Sequence, residues 1–251
     1  MAATACIDCP LRALPLFLPH TEEELALVQF LKQREITLES GDTLIDEGQV
    51  DTRLFTLLEG WAYRFKTLSD GRRQILNFLL AGDFIGVQQK MSDAAAHGVV
   101  TLTPARLCVF DRNALWELHR HQPSMGFNVT WLTAHEESLV DDNLLSLGRR
   151  SAEERVATSL ILLYKRAAAL RGQDEEDDAE RANGVPFPPT QQHLADALGL
   201  SLAHTNKTLR KLERRGLFRI RDGRLQLLDP RALARLADLY GDGKPPARPL
   251  V

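Results

Sequence analysis

Three cysteines are the side chains best suited to metal or redox chemistry in this chain. Cys6 and Cys9 sit two residues apart in Cys6-Ile7-Asp8-Cys9-Pro10, and Cys108 lies far along in Arg106-Leu107-Cys108-Val109-Phe110. An odd count argues against a disulfide framework. In a reducing compartment a clustered pair points instead to metal binding or redox sensing. The Cys-x-x-Cys pair reads as a thiol switch, a zinc-site fragment or a vestige. A thiol-disulfide enzyme is a remote alternative, because the pair lacks the strand-then-helix setting such enzymes use. Cys108 alone on an apolar strand is also the ordinary place for a small buried hydrophobe. His119, His121 and His135 have no metal-ligand spacing with a carboxylate. No catalytic constellation emerges, and the chain is expected not to be an enzyme.

A second concentration is cationic. Lys207, Arg210, Lys211, Arg214, Arg215, Arg219, Arg221 and Arg224 crowd one stretch, opposed by Glu213 and Asp222. The net charge of −3 conceals this, since the acidic run Asp174-Glu175-Glu176-Asp177-Asp178 lies upstream. Phosphate contact depends on local charge, not on the sum.

The elements that must position these groups follow from pattern. From Ile36 to Phe110 short apolar runs are punctuated by Gly41, Gly48, Gly60, Gly71, Gly82 and Gly86. Asp70-Gly71 is a hairpin signal, and regular short strands predict a barrel or sandwich. From Pro123 the period becomes helical through Met125, Val129, Leu132, Leu139, Val140, Leu144 and Leu147. That run is long for a globular helix and favours packing along a partner. Ser151 with Glu154 predicts a capping box that opens the next helix. Residues 172–189 read as a loop. Ala195 and Gly199 form the joint of a helix-turn-helix, and Ser201 is placed to cap its second helix. Leu217–Leu227, turning at Asp222-Gly223, predicts a β-hairpin wing whose arginines suit phosphates. With 251 residues, 44% hydrophobic and 26% charged, the chain has ordinary globular composition. It shows neither a secretory signal nor a membrane-length apolar run, so a cytoplasmic, non-membrane protein is expected.

Gly41-Asp42-Thr43-Leu44-Ile45-Asp46-Glu47-Gly48, Leu58-Glu59-Gly60 and Leu80-Ala81-Gly82-Asp83-Phe84-Ile85-Gly86 resemble the β-roll of the CRP/FNR transcription regulators. Ser151–Ala157 resembles the segment after that family's dimerisation helix. The likeness covers nearly the whole length, in order and spacing, and is closer to the FNR-like branch. It implies an α+β fold with a cyclic-nucleotide-binding-like β-roll (jelly roll), a long dimerisation helix and a C-terminal winged helix-turn-helix. The expected boundaries are a cysteine-bearing segment 1–20, β-roll 21–120, dimerisation helix 121–148 and DNA-binding domain 149–251. The resemblance further implies a homodimer on a pseudo-palindromic double-stranded operator, with contact to RNA polymerase.

It also bears on the signal. The cyclic-nucleotide branch binds the phosphate through an Arg, but Ala94-Ala95-Ala96-His97-Gly98 holds none. A cyclic phosphate lacks its bidentate partner, so cAMP is not expected. Cys6, Cys9 and Cys108 resemble three of the four iron–sulfur ligands of the oxygen-sensing branch. The remaining ligand position falls at Pro15. Such a set implies a [3Fe-4S] cluster, or a [4Fe-4S] cluster completed by Asp8, His20 or solvent. Another effector in the β-roll, or no cofactor, is the alternative. Where the oxygen sensor places an Asp opposing pairing in the dimerisation helix, this chain has Val140 beside Asp141 and Asp142, and an apolar residue favours pairing.

The DNA-reading set expected is Ser201, Ala203, His204, Asn206, Lys207, Arg210, Lys211, Arg219 and Arg221. Family members place Glu where this chain has Ala203 and Arg where it has Lys207. Ala203 cannot accept from a cytosine amine, so an operator differing at that base is expected. Asn206 either pairs with adenine or contacts backbone.

Overall fold

The computed structural model describes residues 4–50, 53–88, 94–171, 184–239 and 247–251. Its contacts resolve into two compact units. The first is Met1–Lys66, Asn77–Leu139 and Pro246–Val251; the second is Thr67–Leu76 and Val140–Pro245. The acidic run 174–178 and residues 89–93 lie outside the described residues.

The first unit opens with two 3-10 turns, Cys6–Asp8 and Pro10–Ala13, then helix α1 (Glu22–Leu31). Thr21 starts α1 with a reciprocal box: its hydroxyl accepts from Glu24 N–H while Glu24 accepts from the Thr21 N–H. Among the described residues the strands that follow are β1 (Lys32–Leu38), β2 (Thr43–Ile45), β3 (Leu54–Glu59), β4 (Ala62–Thr67), β5 (Arg73–Leu79, whose residues up to Leu76 belong to the second unit), β6 (Phe84–Ile85), β7 (Gly98–Thr101) and β8 (Ala105–Phe110). They form two four-stranded sheets, β1-β8-β3-β6 and β2-β7-β4-β5. The glycine-punctuated runs are therefore the expected β-roll, and all six of those glycines have positive φ. Leu57, Val99 and Leu107 are fully buried in the core between the strands, beside Ile45, Phe55 and Val109. Helices α2 (Ala114–His121) and α3 (Pro123–Arg149) follow.

The first half of α3 buries Met125, Val129 and Leu132. It also brings Glu136 to Arg64 of β4, at 3.0 Å, and to the Asn77 amide, at 3.0 Å. Arg64 is 5% exposed and Asn77 8%. This is a charge pair taken out of water, whose value depends on both partners staying in place. Later α3 residues Val140, Leu144 and Leu145 are exposed, as is Phe127.

The second unit holds α4 (Ala152–Ala169), β9 (Val185–Pro186), α5 (Gln191–Leu198), α6 (Leu202–Arg214), β10 (Phe218–Arg221), β11 (Arg224–Leu227) and α7 (Pro230–Leu236). The predicted capping box at Ser151 and Glu154 is formed. One correction concerns the stretch 172–189. It was expected as loop throughout, but Val185–Pro186 pairs antiparallel with β11 as the third wing strand. Two residues supply no readable alternation, and Pro186 sits on an edge where its missing N–H is tolerated.

Replacing Glu136 with Ala strands the Arg64 guanidinium without its counter-charge. Urea unfolding should show a loss of roughly 3–5 kcal/mol, and Glu136→Gln a smaller one.

Candidate DNA interface and cysteine cavity

The helix-turn-helix is built by local rules. Thr190 caps α5 by accepting from His193 N–H. Gly199 ends α5 in the left-handed region, φ +61°, and a Cβ there would meet Leu147 Cδ2 at 3.0 Å. A side chain at that joint is disfavoured by conformation and by space. Ser201 then caps α6, its hydroxyl accepting from His204 N–H at 3.2 Å. Thr205, Thr208, Leu209 and Leu212 are buried on one side of α6. Ala203, His204, Lys207, Arg210, Lys211 and Arg214 are exposed. Their steps of one, three and four residues put them on one outward face. A helix of that kind, with its N-terminal turn free, fits the major groove.

Arg155, at the first turns of α4, ties this unit together. Its Nε donates to Arg150 O (2.9 Å), its Nη1 to Leu198 O (3.0 Å) and its Nη2 to Leu147 O (2.6 Å). One guanidinium thereby satisfies carbonyls at the ends of α3 and α5, where helices leave acceptors unpaired. Arg73 adds a second tie to α5, pairing with Asp196 at 2.7 Å, and Gln74 Nε2 donates to Ala197 O at 3.0 Å.

The wing is the predicted hairpin. Arg221 faces Arg224 across a turn at Asp222 (φ +51°) and Gly223 (φ +69°), the two-residue geometry that suits strand twist. Arg219 and Arg221 are exposed; Arg221 lies 3.6 Å from Asp222 with both side chains in water, a pairing too solvated to withhold it from phosphate. Lys211 differs from the others in the expected set. Its ammonium pairs with Glu153, which also takes Arg215 at 3.0 Å. Asn206 is half-buried, and its amide oxygen is buried with no hydrogen-bond partner.

The first unit brings the three cysteines together. Cys6, Cys9 and Cys108 line one cavity of about 40 Å³, with Arg12, His20, Val28, Phe110 and Leu250 among its walls. Cys108 is on β8 opposite Glu35 of β1 and Thr56 of β3. Beneath it lies Lys32, whose side chain is 4% exposed and whose Nζ donates to Glu35 and to Thr4 O, each at 2.6 Å. Burial pushes the Cys108 thiol up to about 11, although the Lys32 ammonium pulls the other way. Burial likewise raises Cys6. His20 Nε2 is 2.9 Å from Leu250 O, and its Nδ1 is buried without a partner. Asp8 is exposed and does not line the cavity. Lys32 and Glu35 were not anticipated; charged side chains at the start of an otherwise ordinary strand give no signal of burial.

The donor set, three soft thiols and an imidazole, suits an iron–sulfur cluster. The space does not. The cavity has room for roughly one to three waters. Among the described residues no group of three His, Cys, Asp or Glu is arranged to hold a metal ion.

A β-roll joined to a winged helix-turn-helix with an outward cationic face defines a DNA-binding regulator. The comparisons agree with that class. The family described as Cyclic nucleotide-binding domain matches residues 35–122, and the Crp-like helix-turn-helix domain matches residues 154–236. The chain is 34% identical over 235 residues to the nitrogen fixation regulation protein FixK of Bradyrhizobium diazoefficiens, covering 92% of this chain and 93% of that protein. It is 35% identical over 199 residues to the transcriptional activatory protein AadR of Rhodopseudomonas palustris, covering 78% of each. The structure of FixK2 from Bradyrhizobium japonicum superposes with a TM-score of 0.69 at 25% identity, over 83% of this chain and 98% of that one. The chain belongs to the CRP/FNR family of transcription regulators, in its FNR-like branch. This is a family of DNA-binding regulators, not of enzymes. No helix among the described residues is long and apolar enough to cross a membrane.

On the preferred operator, Lys207→Ala should cost roughly 1–3 kcal/mol and relax selection at one base. Arg221→Ala should weaken all sequences about equally. Competition binding on operator and scrambled duplexes separates the two.

Proposed function

We propose that this chain is a homodimeric, redox-responsive transcription regulator whose input site is the three-cysteine cavity. The observation that carries the reading is the convergence of Cys6 and Cys9 with Cys108, about a hundred residues distant, on one cavity beside a buried ammonium. Nothing in packing alone requires every cysteine of the chain to meet there. The dimer is supported by the exposed apolar residues Phe127, Val140, Leu144 and Leu145 of α3, a costly set to leave in water. A two-fold dimer presents two α6 helices to half-sites about one helical turn apart. Contact with RNA polymerase follows from the family resemblance.

Thiol chemistry is the input the geometry supports first. Two thiols give up two electrons and two protons to a two-electron oxidant and join as a disulfide. Of the three, Cys108 resists most, since its thiolate is scarce near neutral pH. An iron–sulfur cluster, [4Fe-4S] or [3Fe-4S], is the second reading, favoured by the donor set and by the unpaired Nδ1 of His20. It requires the 3-10 turns bearing Cys6 and Cys9 to move outward. The residues near the expected nucleotide position argue against cAMP. His97 is buried and its pKa is lowered to about 4, by burial first and then by Arg64 and Lys66, so it is neutral. The Arg64 charge is already met by Glu136.

Protein purified without oxygen tests both readings. Thiol chemistry predicts a colourless protein whose operator affinity changes on mild oxidation, with the change abolished in Cys6→Ser or Cys9→Ser. A cluster predicts a brown protein containing iron and acid-labile sulfide, with colour lost in each Cys→Ser variant. Colourless protein whose affinity ignores oxidant contradicts the reading.

A further inference from the structure

The residues from Ala247 to Val251 belong to the first unit and lie against the β-roll. The contact is specific. Arg248 forms a parallel bridge with Phe17: its N–H donates to Leu16 O at 2.8 Å, and its carbonyl accepts from Leu18 N–H at 2.9 Å. Its guanidinium pairs with Asp83 at 2.6 Å and donates to Ala81 O at 3.0 Å. It also lies 5.0 Å over the Phe17 ring.

The groove is shaped for this occupant. Asp83 is 3% exposed, and its second oxygen accepts from Leu80 N–H at 2.8 Å, so the carboxylate is fixed before Arg248 arrives. A buried carboxylate without a counter-ion is costly. Gly82 has φ +84°, and a Cβ there would fall 2.2 Å from the Phe17 ring and 3.0 Å from Arg248 Nη2. The residue before Asp83 is thus one that leaves room for both the ring and the guanidinium. A tail resting on the surface by chance would not meet a preset carboxylate, a stacked ring and a matched pair of backbone hydrogen bonds together.

Beyond Arg248, Leu250 and Val251 are 5% and 7% exposed and both line the cysteine cavity. Leu250 O takes His20 Nε2, and the hydroxyl of Thr56, the β3 residue opposite Cys108, donates to Val251 O. Cys108 itself is 6% exposed.

We propose that the β-roll carries a docking groove for an extended Arg-Pro-Leu peptide, that the chain's own residues 247–251 occupy it, and that this docking shuts the cysteine cavity. The same peptide orients His20. Cys108 is buried while Cys6 and Cys9 are partly exposed, so departure of the peptide opens the Cys108 side of the cavity to reagents larger than water, and docking of residues 247–251 opposes occupancy there. The inference concerns access to the cavity and holds for either input chemistry.

Alkylation of Cys108 by iodoacetamide in reduced protein, followed by peptide mass, measures access directly. Arg248→Met keeps the length and removes the charge. It should speed alkylation about tenfold, the change in open fraction given by about 1.4 kcal/mol, without a drop in helix or strand content. Arg248→Lys should fall between the two. Amide hydrogen exchange on the unaltered chain is the second measurement, needing no variant. The amides of Leu18 and Arg248, which make the paired backbone bonds, should be protected together. A tail exchanging like free peptide, or Arg248→Met alkylated at the wild-type rate, overturns the proposal.

Discussion

The Arg155 guanidinium meets three carbonyls that otherwise end two helices unpaired. A helix leaves its last acceptors without intrahelical partners, and buried ones must be satisfied elsewhere. Here one planar donor fork does so for Leu147 and Arg150 near the end of α3 and for Leu198 at the end of α5. Lysine's single ammonium cannot span that set. The turn at Gly199 then begins from a fixed point, Ser201 caps α6, and the outward face from Ala203 to Arg214 is aimed by the backbone. The reading residues themselves make little of this scaffold. Their buried counterparts Thr205, Leu209 and Leu212 hold α6 in place.

The first unit follows a different rule, in which buried charges are paired one by one. Lys32 meets Glu35, Arg64 meets Glu136, and Asp83 meets Arg248. The Arg64–Glu136 and Asp83–Arg248 pairs join segments far apart in sequence, while Lys32–Glu35 lies within β1. Breaking one partner leaves an uncompensated charge, which makes such pairs specific and sensitive. Two of them lie near the cysteine cavity without lining it: Lys32 next to Cys108, and Arg248 two residues before Leu250, which does line it.

Much of the fold was legible because local rules decide it. The capping box at Ser151 and Glu154, the turn at Asp222-Gly223, and the Ala195–Gly199 joint each depend on residues a few positions apart. The meeting of Cys6 and Cys9 with Cys108 was legible only through family resemblance, since spacing says nothing about contact across a hundred residues. The tail was not legible at all. Arg248 finds Asp83 at a separation of 165 residues, and a short Arg-Pro-Leu segment has no periodicity to read. Lys211 belongs to the cationic stretch that is expected at DNA, and its exposed ammonium also pairs with Glu153, 58 residues away, an engagement with α4 that spacing could not show. Of the expected candidates for a fourth ligand, Asp8 is exposed and lies outside the cavity lining, whereas His20 lines it; sequence spacing does not separate the two.

The central claim is that Arg155 positions the DNA reader without touching DNA. The direct measurement is operator affinity of Arg155→Met across a salt series, with helix content checked in parallel. Because no phosphate contact is removed, the slope of log affinity against log salt should match the wild type, while affinity falls about tenfold or more at every salt concentration. An unchanged affinity would contradict the positioning role, and a shallower slope would show that Arg155 meets phosphate itself.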